Sequence, residues 1–340
     1  MNIKSLLLGS AAALAAVSGA QAADAIIAAE PEPMEYVRVC DAFGTGYFYI
    51  PGTETCLKIG GYVRFQVSFD SRDALEGGSY GDDHWDAYTR GRVDFTAKSD
   101  TELGELTGFV AIHGDASVYD NASGSTTDMY LDEVYLQLGG FKAGTYYNWW
   151  DKGINGETDQ LGNNTRLTSI AYIYTGDAFT AGLQLDELTR AGEQDLGLEA
   201  IVSASLGAAS FDLLGSYDFG AEDGAVRALV SADVGPGTLQ LAGVWASGWN
   251  NYYNRSEWAI AASYAFKATD KFTVTPGVQY FANRQVDLDG DFFGNDGWRA
   301  GLTVDYAITS GMAMKVSAQY NDFDGTDEYW DGFVRLQRSF

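Results

Sequence analysis

LKIGGYVRFQVSFD, residues 57–70, alternates apolar and polar side chains without a break. Ile59 and Val63 belong to the apolar set, and Lys58 and Arg64 to the polar set. Because successive side chains of a strand point to opposite faces, this stretch predicts a strand with one apolar and one charged face. The pattern recurs as far as Phe340, and no helical segment is long enough to cover the apolar faces. The chain is therefore predicted to be all-β.

About sixteen segments carry a strand-like pattern, and short turns alternate with longer polar loops between them. The predicted strands lie near 57–70, 86–98, 104–113, 130–138, 141–148, 166–175, 179–186, 197–206, 210–218, 225–234, 238–247, 257–266, 272–281, 298–307, 312–321 and 329–340. An even strand number and alternating loop lengths are typical of outer-membrane barrels. Residues 57–340 are therefore predicted to form a transmembrane antiparallel up-and-down β-barrel.

A membrane location requires such a sheet to close, because a bilayer core offers no water to unpaired backbone groups. Aromatic residues near predicted strand ends suit the two membrane interfaces. They include Trp245, Trp258, Tyr264, Phe266, Trp298, Tyr306, Tyr320 and Phe340. A soluble sandwich would place the same residues in its core, but it would not require alternating loop lengths.

The first 22 residues predict a signal peptide. Lys4 precedes an apolar stretch from Leu6 to Val17, and Ala20 and Ala22 have the spacing that a signal peptidase reads. The apolar stretch is too short for the roughly 20 residues of a spanning helix. We therefore expect export to the bacterial outer membrane, with residues 23–56 as a periplasmic leader before the barrel.

Cys40 and Cys56 are the two cysteines of the chain, and export places them in an oxidising compartment. We expect them to form a disulfide, and closing a loop of this size contributes about 3 kcal/mol in the chain-entropy model. A metal site or a redox pair is the alternative. The two cysteines have no histidine neighbours and lack CxxC spacing, which disfavours both.

The charge balance is strongly acidic. Removing the signal takes away Lys4 and no acidic residue, which leaves 20 basic against 47 acidic side chains and a net charge of −27. Such a charge disfavours nucleic acid as a partner and suits a surface that meets water and divalent cations. A merely soluble acidic protein is the alternative that composition alone leaves open.

The third long loop, residues 149–165, is the most distinctive. Trp149 and Trp150 prefer burial or an interface and are the predicted loop anchors. Asp151, Glu157 and Asp159 would lie at the constriction if the loop folded into the lumen. The alternative is an extracellular surface loop with solvated acids.

Basic residues fall on positions predicted to face the lumen. They are Lys58, Arg64, Arg90, Arg92 and Arg166. Facing rows of opposite charge create a transverse field that selects among ions and dipolar solutes. The alternative for each is an ordinary solvated lumen side chain.

Three stretches resemble the general porins of alphaproteobacterial outer membranes. They are VRVCDAFGTGYFYIPGTETCLKIGGYVR at 37–64, YNWWDKGINGETD at 147–159 and VRLQRSF at 334–340. The resemblance implies a sixteen-stranded trimeric barrel, a third loop folded inward as a constriction, and passive diffusion of ions and small hydrophilic solutes. It also implies that Phe340 is part of a signal for the barrel assembly machinery. Arg338 departs from the pattern, since an outward position there would favour an apolar residue.

The resemblance implies a homotrimer, which we expect to contact outer-membrane lipid and lipopolysaccharide, and the acidic loop predicts a weak cation preference. A sugar-specific porin is the first alternative, with an aromatic track of Trp149, Trp150, Tyr146 and Tyr147. An outer-membrane barrel enzyme is the second, and His84 and His113 are its available bases.

Residues 287–291, DLDGD, resemble the start of a calcium-binding loop but lack its later ligands. We therefore expect no catalysis, no cofactor and no specific metal site.

Overall fold

Sixteen antiparallel strands close into a barrel in the computed structural model, which describes residues 38–73, 84–117, 126–190 and 192–340. The described residues contain three further strands of two residues each, one of which pairs with the first barrel strand. The strands are β1 (Phe48–Tyr49), β2 (Cys56–Asp70), β3 (Trp85–Thr101), β4 (Gly104–Ser117), β5 (Thr126–Leu138), β6 (Phe141–Tyr147), β7 (Arg166–Thr175), β8 (Phe179–Arg190), β9 (Glu193–Leu206), β10 (Ala209–Asp218), β11 (Asp223–Val234), β12 (Gly237–Ala246), β13 (Trp258–Thr269), β14 (Phe272–Ala282), β15 (Gln285–Val286), β16 (Phe292–Phe293), β17 (Gly297–Thr309), β18 (Met312–Phe323) and β19 (Tyr329–Ser339).

Closure joins the last strand to the first long one. Each barrel strand pairs with its neighbour along the chain, and β19 pairs with β2 from Asp331 opposite Asp70 to Ser339 opposite Tyr62. Every predicted segment corresponds to one barrel strand, so the predicted all-β barrel is confirmed. In the part of the chain that the structure describes, no helix is long and apolar enough to cross a membrane.

The two faces of the wall follow the predicted alternation. On β2, Ile59 and Phe65 are about half exposed on the outside, at 47% and 46%. On the other face Gln66, Ser68 and Asp70 are buried within the barrel. An apolar exterior with polar groups inside is what a lipid-facing wall around an aqueous lumen requires.

Outward aromatic rings form a row near the end of the wall that carries the long loops. Trp245 lies opposite Trp258 across β12 and β13. Tyr320 lies between Trp298 and Trp330, with ring centroids 5.3 and 5.2 Å away. Such a row suits a membrane interface, where the indole and phenol rings meet both lipid and water.

The segment before β2 is closed by the predicted disulfide between Cys40 and Cys56, which is confirmed. Phe48 and Tyr49 pair with the start of β2, and Cys40 N donates to the Tyr47 carbonyl at 2.9 Å. Both cysteines are buried with Tyr47 in a small apolar cluster. The predicted signal peptide and the leader as far as residue 37 lie outside the described residues.

Candidate pore constriction

The loop between β6 and β7, residues 148–165, folds into the barrel. Asn148 closes its base, since its backbone N–H donates to the Thr165 carbonyl at 2.8 Å and its side chain donates to the Asn164 carbonyl at 3.0 Å. The Asn148 side chain also caps a 3₁₀ turn at Trp149–Asp151 by accepting from Trp150 N. Beyond this base the loop contacts inward side chains of β10, β11, β12, β14 and β18. We call it the constriction loop.

The two tryptophans attach the constriction loop to β11. Trp150 is 1% exposed and stacks on Tyr253, with centroids 6.4 Å apart. Arg227 on β11 is also buried, and its guanidinium donates to the carbonyls of Trp150 at 3.0 Å and Trp149 at 2.6 Å. The same guanidinium lies 5.1 Å from the Trp150 ring. One arginine thus holds two consecutive loop carbonyls and one aromatic face.

The far end of the constriction loop reaches β18. Asn155 N donates to the Gln240 amide at 2.5 Å, and Glu157 accepts from Lys315 Nζ at 2.7 Å. Gly156 between them has a φ of +92°, and a Cβ there would meet Thr275 at 3.1 Å. A glycine is therefore required where the loop turns against the wall. The loop spans the lumen from its base between β6 and β7 to Lys315.

The three acids predicted for the constriction have different surroundings. Asp151 is exposed, whereas Glu157 is half-buried and paired with Lys315. Asp159 turns back into the loop, where it accepts from Ile154 N at 3.4 Å and packs against Gly153, leaving no room for a Cβ. Burial raises the pKa of Asp159 to about 6. Of the three, Asp151 presents the open carboxylate.

Four of the five predicted basic residues lie together on the lumen wall. Arg64 is directly opposite Arg90 across β2 and β3. Arg90 forms two hydrogen bonds with Asp115, at 2.6 and 2.7 Å, and Arg64 donates to Gln337 at 3.0 Å. The ion pairs of Arg92 and Arg166 converge on one carboxylate, at Asp132.

Comparison with known proteins identifies the family. The family model of the porin subfamily matches residues 24–336. The chain belongs to the porin family. The porin is 56% identical to putative outer membrane protein y4fJ of Sinorhizobium fredii, over 100% of this chain and 99% of that protein. It is 47% identical to outer membrane protein IIIA of Rhizobium leguminosarum, over 100% and 95%, and 33% identical to porin Omp2b of Brucella suis, over the full length of both.

Solved structures share the fold of this porin. A loop-deletion mutant of OmpT, an outer membrane protein of Vibrio cholerae, superposes with a TM-score of 0.64 at 14% identity, covering 85% of this chain and 100% of that chain. A mutant porin of Rhodopseudomonas blastica gives 0.57 at 15% identity, covering 84% and 100%. The names of the curated relatives place the porin in the outer membrane.

Asp132 is the central acid of the wall and was not predicted from the sequence. The register between β4 and β5 shifts after Ala111, so that Asp132 and Glu133 both turn inward. Arg92 contacts both, at 2.9 and 3.1 Å, and Arg166 reaches Asp132 at 2.6 Å. Bulges re-aim side chains in this way. The available signal was the acidic pair itself, which interrupts the apolar alternation of the strand.

Two further basic residues complete the wall of the porin. Arg335 on β19 is directly opposite Lys315 on β18, and its Nε donates to Gln66 on β2 at 2.7 Å. With Arg64 and Arg90 they form a basic row across four adjacent strands, β18, β19, β2 and β3. The inward position of Arg335 follows from the outward positions of Val334 and Leu336. Neither Arg64 nor Arg335 is ion-paired with a described residue.

Lys58 lies apart from this row. It precedes Arg64 by six positions along β2, which corresponds to about 20 Å of extended strand. Its Nζ lies 5.7 Å from the Tyr47 ring of the disulfide-closed segment. Lys58 is therefore at the short-turn end of the lumen, away from the constriction loop.

Two of the four rings of the alternative aromatic track are buried and do not line an open path. Trp150 and Tyr146 are buried, at 1% and 2% exposure, and the Tyr146 hydroxyl donates to Gln184. The Tyr147 hydroxyl donates a hydrogen bond to Asp132.

His113, a base of the enzyme alternative, is buried between Tyr62 and Tyr130 in the wall. Asp287, in the calcium-like loop, accepts from the backbone of its own loop. Among the described residues, no group of three or more side chains could hold a metal ion.

Proposed function

We propose that this porin is a water-filled channel through which ions and small hydrophilic solutes diffuse passively. The observation that carries the proposal is the constriction loop, fixed by Arg227 near Trp149 and Trp150 and by Lys315 at Glu157. A loop held across the lumen narrows the bore, and a cavity of about 1050 Å³ remains open beside its residue Gln160. The two tryptophans anchor the loop in this account.

Selection among solutes arises from the charges on the two sides of the bore. Asp151 and Asp159 belong to the constriction loop, whereas Arg64 and Arg335 lie on the wall of β2 and β19. A field between such groups orients dipolar solutes and selects among ions. Arg90, Arg92 and Arg166 shape this wall, although their charges are balanced by Asp115, Asp94, Asp132 and Glu133.

We propose a weak preference for cations. Asp151 is exposed, and it is not ion-paired with any described residue. Glu157 contributes little net charge because Lys315 pairs with it. The mature charge of −27 adds a modest attraction, since charges more than a Debye length of about 8–10 Å from the bore are screened.

The assembly of the porin is part of the proposal. We infer a homotrimer embedded in outer-membrane lipid and lipopolysaccharide, with acidic loops bridged to the latter by divalent cations. Phe340, exposed at the end of β19, would be read by the barrel assembly machinery. A trimer-sized band on unheated electrophoresis that collapses on heating supports the trimer, and a monomer band under both conditions contradicts it.

The test is electrical. Purified porin in a planar bilayer under a KCl gradient should give discrete conductance steps, a current that rises linearly with concentration, and a reversal potential slightly on the cation side. Asp151→Asn should move the reversal potential toward zero. Saturation by a sugar would favour the substrate-specific alternative, and absence of channels would overturn the proposal.

A further inference from the structure

A large cavity lies above the constriction loop, on the side of the long loops. Its volume is about 1050 Å³, which matches the roughly 300–1,000 Å³ of pockets that hold small molecules. Four arginines line it: Arg72, Arg255, Arg284 and Arg299. In a chain of net charge −26, this is a marked concentration of positive charge in one recess.

Two of these arginines are already neutralised. Arg72 binds Asp70 through Nε at 3.0 Å and Nη2 at 2.6 Å, and Arg299 binds Asp331 at 2.9 Å. The remaining acid of the lining, Asp327, is exposed at the rim, where water screens it. The surplus positive charge of the cavity therefore belongs to Arg255 and Arg284.

Neither Arg255 nor Arg284 is ion-paired with any residue that the structure describes. The Arg284 guanidinium lies 3.8 Å from the Phe323 ring, which holds its plane in place. Its Nε is buried and has no hydrogen-bond partner among the described residues. Burial lowers the pKa of Arg284, and the neighbouring Arg255 adds to this effect. A fixed, partly desolvated guanidinium without an anion is unfavourable unless an anion binds it.

We propose that Arg255 and Arg284 form a binding site for small multivalent oxyanions, carboxylates or phosphates, in the outer vestibule of the channel. Guanidinium groups suit these ligands because their planar fork donates two parallel hydrogen bonds to one oxyanion. The proposal rests on the diffusion function and deepens it, since it assigns a class of solute that is concentrated before it reaches the constriction.

Further charged residues line the wall between this site and the constriction loop. Gln66 lines the cavity and accepts from Arg335, the next unpaired arginine toward the constriction. A smaller recess of about 270 Å³ shares Arg255 with the cavity and is also lined by Asp151 and Asp159. These carboxylates limit how tightly an anion is held. Conduction requires such a balance, because a solute that binds too strongly does not leave.

The experiment is single-channel recording of the purified porin in KCl, with citrate or inorganic phosphate added on the long-loop side. At least one of the two anions should reduce the unitary current in a saturable way, and the stronger blocker identifies the preferred oxyanion. In Arg255→Ala/Arg284→Ala the half-blocking concentration should rise about tenfold or more, because two charge-assisted contacts are lost.

The matched control is Lys267→Ala/Lys271→Ala, which removes two positive charges from exposed positions at the short-turn end. Its half-blocking concentration should equal that of the wild type. A channel that conducts KCl normally but is insensitive to both anions overturns this site while the diffusion proposal stands. Equal block in the arginine variant and the control overturns it as well. Absence of any KCl channel is instead the failure of the diffusion proposal, on which the site depends.

Discussion

Asp159 makes the constriction loop sensitive to pH. Its pKa is raised by burial to about 6, so the carboxylate is ionised at pH 7 and becomes protonated as the pH falls toward 5. A raised carboxyl pKa means that the folded loop favours the neutral form, so the loop is more stable at pH 5 than at pH 7. The loss of one negative charge should also weaken the cation preference. Reversal potentials measured at both pH values should differ in the wild type.

Asp159→Asn is the control for this prediction. It keeps the size of the side chain and removes the titration, so its reversal potential should change much less between pH 7 and pH 5. An equally large change in Asp159→Asn would assign the pH dependence to another group.

Arg227 is the residue on which the position of the loop depends most. Arg227→Ala removes two charge-assisted hydrogen bonds to loop carbonyls and should lower the free energy of unfolding by about 3 kcal/mol. Open-channel current noise should increase because the loop is released. Urea unfolding in detergent measures the first effect and bilayer recording the second. Lys267→Ala, exposed on β13, should change neither.

Single residues were the least predictable part of the site from sequence. Arg227 lies within the apolar run of β11, and nothing local indicates that its partners are the carbonyls of residues 149 and 150, some 77 positions earlier. Asp132 was missed because the bulge at this position depends on pairing with β4. Arg64, Arg90 and Arg92 were predictable, since strict alternation alone places them inward.

The ion pair between Glu157 and Lys315 closes the constriction loop against β18. Both side chains are a little more than a quarter exposed, at 29% and 28%, so the pair contributes about 0.5–1 kcal/mol. Lys315→Met should therefore increase current fluctuations, and the increase should shrink at high KCl because salt screens the pair. Glu157→Gln and the double variant should behave like Lys315→Met. Additive effects in the double variant would show that the two residues act independently.

The disulfide ties the segment before the barrel, at Cys40, to Cys56, the first residue of β2. Cys40→Ser/Cys56→Ser should destabilise that segment by about 3 kcal/mol, because the closed loop no longer restricts the unfolded chain. Limited proteolysis should then cut between residues 40 and 56. Unitary conductance should stay unchanged, and a large change would place the segment in the ion path.

Strand existence was predictable from alternation, whereas the ends of some strands were not. The observed β3 runs to Thr101 and β4 to Ser117, beyond the predicted ends at 98 and 113. In both cases the polar residues at the strand ends continue the backbone pairing past the apolar band. A prediction based on apolar residues therefore ends these two strands too early, because backbone hydrogen bonding does not require an apolar face.

At the scale of the whole molecule, closure was predictable because sixteen half-apolar strands in a bilayer cannot leave an edge unpaired. The pairing of β19 with β2 satisfies that requirement. The course of the constriction loop within the barrel depends on partners from five distant strands, which no local pattern contains. The two tryptophans favoured burial or an interface, and the resemblance to general porins implied an inward loop, but neither indicated the wall on which the loop lies.

The central claim, that the constriction loop lies in the ion path, is tested most directly by thiol modification of Asp151→Cys. Both native cysteines are in the disulfide, so the introduced thiol is the one available for reaction. Leu288→Cys, fully exposed on the β15–β16 hairpin, is the control. Addition of a trimethylammonium methanethiosulfonate reagent should lower the unitary conductance of Asp151→Cys and leave Leu288→Cys unchanged. Complete labelling of Asp151→Cys, shown by mass spectrometry, with no change in conductance would contradict the account.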